Sequence, residues 1–266
     1  MYHIKICNFV NRFRWLIVWL PFKDIKHGKL TIRYSRGWPS IKVSVVMPVL
    51  NEAKTIRTTL SLLHISNNEE LIVVDGGSTD DTITIAREFT EKVFTAETGR
   101  ANVMNFGAGK AEGDILLFLH ADCVLPDEGF SIIREVMKDD KVSAGAFDLS
   151  IADPSPRFRL IEFGANLRSR VTSIPYGDQG IFMRKKVFNR IGGYADIPLM
   201  EDIEISKRLK KTGKIVFVRP PVKASPRRWL EEGALYTTLR DWMNALAYLF
   251  FRASPEKLKK FYKDVR

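Results

Sequence analysis

With 266 residues the chain can bury a full core, as one large domain or two small ones. Its 45% hydrophobic and 27% charged residues exclude disorder, and two cysteines, Cys7 and Cys123, build neither a disulfide framework nor a cysteine metal site, which fits a reducing compartment. The net charge of +11 sits at the ends: residues 1–40 carry eight Lys/Arg against Asp24, residues 252–266 carry six against Glu256 and Asp264, and 41–251 is close to neutral.

Residues 1–40 lack clear periodicity, end in Gly37-Trp38-Pro39-Ser40 and read as a basic N-terminal appendage, while 252–266 reads as a basic C-terminal tail. Such ends suit either solvated tails or peripheral attachment to an anionic surface. The apolar runs 15–22 and 245–251 fall far short of the ~20 residues of a spanning helix, and no small-residue cleavage site follows the first. Trp15, Trp19 and Phe22 beside Arg12, Arg14 and Lys23 suit an interfacial helix. The expected location is cytoplasmic, with peripheral contact at the inner membrane face as an option.

From residue 43 the pattern is regular. A β-branched strand at 43–47 stops at Pro48, and a helix with Ile56, Leu60 and Leu63 follows over 53–64. A buried strand at 71–74 ends in Asp75-Gly76-Gly77, and Ser78 with Asp81 then reads as the N-cap and acid of a capping box. A short strand at 92–95, a helix over 101–112 closed by Gly113 and a buried strand at 115–119 complete this half. The second half predicts strands at 142–150 and 180–183 and helices over 157–170, 201–212 and 229–251. Strands alternating with helices predict one α/β domain over 41–251 with a mainly parallel sheet flanked by helices. Residues 48–52, 75–77 and 120–122 all lie at strand carboxyl ends, so they should converge on one cleft.

Individually, the candidate site residues admit two readings. Asp75 before two glycines can accept hydrogen bonds from a ribose or base, or satisfy its own turn. Asp122 ends the most hydrophobic strand with the hard oxygen that Mg2+ or Mn2+ takes beside substrate phosphates, or caps the next turn. His120, two residues earlier on an extended chain, is a second ligand or a donor to the nucleotide. Glu201 and Asp202 open a helix after Pro198, where carboxylates serve the helix dipole or, at a cleft edge, general-base chemistry. Arg227-Arg228-Trp229 matches phosphate geometry, or is a solvated turn with Trp229 in the core. Arg100 at a helix start can assist an anion in the same way.

The order of the motifs is more specific than any one of them. Val45-Val46-Met47-Pro48-Val49-Leu50-Asn51-Glu52 precedes Val73-Val74-Asp75-Gly76-Gly77-Ser78-Thr79-Asp80-Asp81-Thr82; then come Asn105-Phe106-Gly107-Ala108-Gly109, Gly113-Asp114-Ile115-Leu116, a strand ending at Asp122, Gly192-Gly193-Tyr194 and Glu201-Asp202. Over roughly 41–251 this series resembles the family 2 glycosyltransferases, which have the Rossmann-like GT-A fold with a mixed, mainly parallel sheet. Gly99-Arg100-Ala101, Leu167-Arg168-Ser169-Arg170, Gly177-Asp178-Gln179, Pro198-Leu199-Met200-Glu201-Asp202-Ile203 and Arg227-Arg228-Trp229 are similar to a small soluble subgroup named for arsenosugar biosynthesis and radical-SAM/selenodomain-associated glycosyltransferases. The resemblance implies that Pro48, Glu52 and Asp75 hold a nucleoside and that His120-Ala121-Asp122 stands where the family has Asp-x-Asp. The first acid is thus a histidine, leaving Asp122 with His120 as the metal site. It further implies that Asp202 is the base of an inverting transfer, that Arg227, Arg228 and Trp229 lie near the donor diphosphate, and that Asp178, Gln179 and Glu201 face the acceptor.

The implied activity is transfer of a sugar from a nucleoside-diphosphate sugar to an acceptor hydroxyl, assisted by Mg2+ or Mn2+, the acceptor being a small molecule or a lipid-linked one. A nucleotidyltransferase would carry a Gly-rich phosphate loop, and 48–56 has none. A non-catalytic nucleotide-sugar or membrane-binding protein on the same fold is the main rival, with His120 as its support. A nucleic-acid binder is disfavoured by the near-neutral 41–251.

Overall fold

The computed structural model describes residues 41–260; the basic appendage expected over 1–40 and the last six residues of the expected tail lie outside the described residues. Eight strands form one sheet: β1 (Val43–Val49), β2 (Glu69–Asp75), β3 (Val93–Thr95), β4 (Ile115–Phe118), β5 (Cys123–Val124), β6 (Val142–Ile151), β7 (Ile181–Arg184) and β8 (Lys214–Ala224). Their order is β3-β2-β1-β4-β7-β6-β8-β5. The first four strands in that order run parallel, β7 is antiparallel to β4 and β6, β8 is parallel to β6, and β5 is antiparallel to β8. This is the mixed, mainly parallel α/β sheet expected.

The central strands are dominated by apolar runs, Val45–Val49, Leu71–Val74 and Ile115–Phe118, because both faces are covered. Val45, Met47 and Leu117 point to one core with Ile56 of α1 (Ile56–Ser61), Ala86 of α2 (Thr82–Ala86) and Ile133 of α4 (Gly129–Val136). Val46, Ile72 and Leu116 point to the other with Met104 of α3 (Arg100–Lys110), Phe188 of α6 (Lys185–Arg190) and Ile205 of α7 (Glu201–Leu209). The remaining helices are α5 (Pro156–Thr172), α8 (Arg227–Glu232), α9 (Ala234–Phe251) and α10 (Pro255–Lys259). Beyond residue 251, Leu258 of α10 is buried with Ile174, Met200 and Ala245.

Several expectations are corrected. The helix over 229–251 is two helices, α8 and α9, divided at Gly233 with φ 93°. Ser78 does not cap α2, whose N-cap is Asp81; the Ser78 hydroxyl accepts from the Asn51 N–H at 2.8 Å instead. The strand expected to run to residue 119 stops at Phe118, and 120–123 forms a turn in which the Cys123 N–H donates to the His120 carbonyl at 3.1 Å. The eleven-residue β8 was hidden by Pro220-Pro221, which cannot donate to a ladder; a register shift between Phe147 and Leu149 of β6 takes the pair out of it.

Glu70 ties this sheet together at the end remote from the cleft. Its buried carboxylate accepts from the Ser44 hydroxyl, from the Glu112 N–H at 2.7 Å and from the Lys92 ammonium at 2.6 Å. Burial opposes its ionisation, but Lys92, Ser44 and Glu112 outweigh burial and hold the group down at about 2. A depressed carboxyl contributes stability above its unfolded pKa and loses it as pH falls through the folded one. Glu70→Gln is therefore expected to lower the melting temperature at neutral pH by about 2–8 °C. In melts repeated at falling pH, the gap to wild type should close as pH approaches about 2.

Candidate active site

A cleft of about 410 Å3 opens where the parallel strands end. Two loops at one side of it, after β1 and after β2, are stitched to each other. The Thr79 N–H donates to Asn51 Oδ1 at 2.8 Å and the Glu52 N–H to Thr82 Oγ1 at 2.8 Å, with Asn51 itself left-handed at φ 53°. The Ser-Thr-Asp-Asp motif thus positions the loop after β1.

Most of the residues singled out in the sequence line this one cleft: Pro48 and Glu52; Arg100; His120, Ala121 and Asp122; Asp178; Glu201 and Asp202; and Arg227, Arg228 and Trp229. Asp75 and Gln179 do not line it. Asp75 is buried and accepts from the N–H groups of Gly77 at 2.9 Å and Ser78 at 3.0 Å, so it shapes the Gly76–Gly77 turn from behind. Gln179 is buried too, accepting from Ser169 Oγ at 2.7 Å and donating to the Phe147 carbonyl at 3.1 Å.

At one pole, His120, Asp122 and Cys123 present ligand atoms within 4.8 Å of one another. Burial raises the Asp122 carboxyl and the negative charge of Glu52 adds to it, with Arg227 opposing. Arg227 reaches both Glu52 carboxylate oxygens at 3.1 Å, joining the loop after β1 to the start of α8. Burial and a neighbouring acid both disfavour the Asp122 charge, a cost that a cation would relieve, so Asp122 with His120 fits a divalent metal. Cys123 is the less apt third member, because burial pushes its thiol well above the usual range.

At the other pole, Asp202 sits in the first turn of α7. Met200, left-handed at φ 71°, turns the chain into that helix. Asp202 Oδ2 accepts from the Gly177 N–H at 3.0 Å. A Cβ at residue 177 would lie 2.8 Å from His120 Nε2, so a side chain there would displace the imidazole from its present position. Burial, reinforced by the charge of Glu201, pushes the Asp202 carboxyl up to about 7 against the N–H donors of Gly177 and Ile203. Glu201 is held by Arg100 at 3.1 Å. The loop before α7 is pinned by Asn105, which donates to the Tyr194 carbonyl at 2.8 Å and accepts from the Tyr194 N–H at 2.9 Å. A Cβ at the preceding Gly193 would lie 2.6 Å from Asn105 Oδ1. The Asn105 and Gly-Gly-Tyr motifs are one structural device.

Between the poles, Arg228 pairs with Asp241 of α9 at 2.6 Å, and Trp229 packs edge-on against Phe158. Burial also raises the Asp178 carboxyl, against the pull of Arg228 and Arg168. The cleft wall includes Tyr176, Asp241 and Asn244, which the sequence reading missed. Among the described residues the Tyr176 hydroxyl and the Asn244 amide nitrogen are buried without a hydrogen-bond partner. Their positions follow from how α9 packs, and no local motif marks them.

The fold and this cleft define a GT-A type α/β domain. The chain belongs to glycosyl transferase family 2, whose profile matches residues 44–195. Among its relatives is a probable glycosyltransferase, YdaM, of Bacillus subtilis, 29% identical over 65% of this chain and 47% of the relative. Another is the poly-beta-1,6-N-acetyl-D-glucosamine synthase of Staphylococcus epidermidis, 27% identical over 63% and 45%. The chain spans about half the length of these curated relatives. Similar solved structures include S. aureus TarS 1–349 in complex with UDP-GlcNAc, 17% identical with a TM-score of 0.57 over 78% of this chain and 73% of that one. The mannosyltransferase PcManGT from Pyrobaculum calidifontis in complex with GDP-Man and Mn2+ is 21% identical with a TM-score of 0.60, over 82% and 67%. At these identities the structural likeness establishes the fold.

A carboxyl raised by the fold contributes stability that is full below its unfolded pKa and lost as pH rises through the folded one. Wild type is therefore expected to lose stability relative to Asp202→Asn as pH rises through about 7. Denaturant titrations at acidic and alkaline pH check this; a gap independent of pH would mean that folding leaves the Asp202 carboxyl unshifted.

Proposed function

We propose that the protein is a nucleotide-sugar-dependent glycosyltransferase that inverts the anomeric centre. The observation that carries the reading is that Asp202, a half-buried carboxyl pushed up to about 7, shares one cleft with Asp122, His120 and the Arg227–Arg228 pair. Pro48, Glu52 and the Gly76 backbone wall the nucleoside side, with Asp75 fixing that turn. Arg227 and Arg228 offer planar guanidinium donors to a diphosphate. A divalent cation, Mg2+ or Mn2+, held by Asp122 and His120 would neutralise charge on that diphosphate.

In the proposed reaction Asp202 takes the proton of an acceptor hydroxyl. The oxygen forms a bond to the anomeric carbon on the face opposite the diphosphate. The bond from that carbon to the diphosphate oxygen breaks, and its electron pair leaves on the nucleoside diphosphate. One base and one displacement give inversion. Asp178, Tyr176 and Asn244 stand on the acceptor side, with Glu201 supporting the α7 start. The UDP- and GDP-linked sugars of the structural neighbours make those two nucleotides the first donors to try. The narrower likeness to the arsenosugar and radical-SAM/selenodomain subgroup rests on its short motifs alone, and none of the relatives reported above carries that name.

Thermal shift with UDP-, GDP- and dTDP-sugars, with and without Mg2+ or Mn2+, tests the donor site. A ligand at a hundredfold excess over its dissociation constant adds about 2.7 kcal/mol, a rise of about 5–10 °C here. One nucleotide class is expected to give a metal-dependent rise that Asp122→Ala loses. No rise with any nucleotide, in folded protein, would overturn the reading. In turnover assays Asp202→Asn should abolish transfer while leaving the donor-induced rise nearly intact. Wild-type turnover should climb with pH through about 7 as Asp202 ionises. Donor binding without turnover under any condition would establish the non-catalytic rival.

A further inference from the structure

Helix α9 leaves an apolar stripe outside. Its buried side carries Thr237, Arg240 and Asn244 besides Ala245, with Arg240 paired to Glu232 at 2.8 Å and to Asp241 at 3.1 Å, and Ala247, Tyr248 and Leu249 pack against the core cluster of Ala245. Its exposed side carries Leu235, Leu239, Trp242, Met243, Leu246 and Phe250. At the helical repeat these six fall within about a third of the circumference, and no charged residue interrupts them. Met243 is 68% exposed and Phe250 73%. Helix α5 has a matching stripe at Leu160, Phe163, Leu167 and Val171, all exposed. The helices touch where Trp242 meets Gly164, a Cβ there lying 3.1 Å from the indole. The stripes therefore adjoin as one apolar face on two helices, far more than the scattered exposed leucines of an ordinary surface.

Charge identifies what covers it. Exposed Arg157 and Arg159 stand at the start of α5, and exposed Arg252, Lys257 and Lys260 follow the end of α9; the exposed acids of α8 and α10 are Glu231 and Glu256. A second copy seated on the same face would bring two such basic rims together. Residues 1–40 are themselves net positive, with eight Lys/Arg against Asp24. Both are the wrong charge, whereas an anionic lipid surface supplies apolar depth and negative headgroups together. Among the described residues no helix is long and apolar enough to cross a membrane.

We propose that the α5–α9 face docks on an anionic lipid bilayer, lying in its interface. Asp241 and Asn244 of α9 line the cleft, so docking would hold the cleft beside the lipid surface. The inference does not depend on the transfer reading, and its test involves no catalysis.

The test uses the full chain and vesicles of phosphatidylcholine, with and without phosphatidylglycerol. Co-sedimentation should require phosphatidylglycerol and weaken with salt. The triple variant Leu239→Glu/Met243→Glu/Phe250→Glu, changed only at exposed positions, should keep its melting temperature and lose partitioning on the order of a hundredfold or more. Lys257→Glu/Lys260→Glu should weaken binding and flatten the salt dependence. A polarity-sensitive fluorophore on Met243→Cys, in a Cys7→Ser background with Cys123 buried, should shift to the blue only with anionic vesicles. This probe decides the matter even if the triple variant fails to fold. Three results would overturn the proposal: a folded triple variant that partitions like wild type, a fluorophore unchanged on vesicle binding, or one already shielded without vesicles. The last would mean that the chain or a second copy covers the face.

Discussion

The site depends on burying negative charge where water screens it poorly. Burial raises the carboxyls of Asp122, Asp178 and Asp202 within one cleft. Unpaired, such groups would be costly, and they persist because the surrounding fold fixes them. Arg227 holds Glu52 beside Asp122, Arg100 holds Glu201 beside Asp202, and Arg228 holds Asp241 near Asp178. Each acid left with a raised pKa thus has, as neighbour, an acid whose charge is already matched. That gives the cleft free energy to recover on meeting a cation or a proton, while the ion pairs keep its walls in place.

Those pairs join segments far apart in sequence. Arg227–Glu52 links α8 to the loop after β1, and Arg100–Glu201 links α3 to α7. The α7 start is clamped again by Asn105 on Tyr194 and by the Gly177 N–H on Asp202. The region that the sequence shows as least regular is therefore fastened, at several points, to the regular parallel half. A side chain held from several elements keeps a fixed geometry.

How much of this was legible follows the same division. β1, β2 and β4 were readable because strands buried on both faces carry near-continuous apolar runs, Val45–Val49, Leu71–Val74 and Ile115–Phe118 here. The convergence of their carboxyl ends follows from parallel topology, which is why Pro48, Glu52, His120 and Asp122 fall together. Asp75 and Gln179 carry the same side-chain chemistry but point at backbone partners, and loop geometry alone decides that. β8 was hidden because Pro220-Pro221 argues against a strand unless the bulge that takes the pair out of the ladder is known. Tyr176, Asp241 and Asn244 lie on segments whose approach to the cleft depends on packing between distant helices.

Helix α9 shows the limit of periodicity most plainly. Its apolar stripe is easily found, and the usual inference puts such a stripe in the core. Here the cleft has the stronger claim on the helix. The wall opposite Arg228 must carry Asp241, and Arg240 must sit inside to pair with Asp241 and Glu232. With that polar side facing inward beside Ala245, the stripe of Leu235, Leu239, Leu246, Met243 and Phe250 faces out. Periodicity gives the two faces of a helix, and only the charges that each face must meet determine which one is buried.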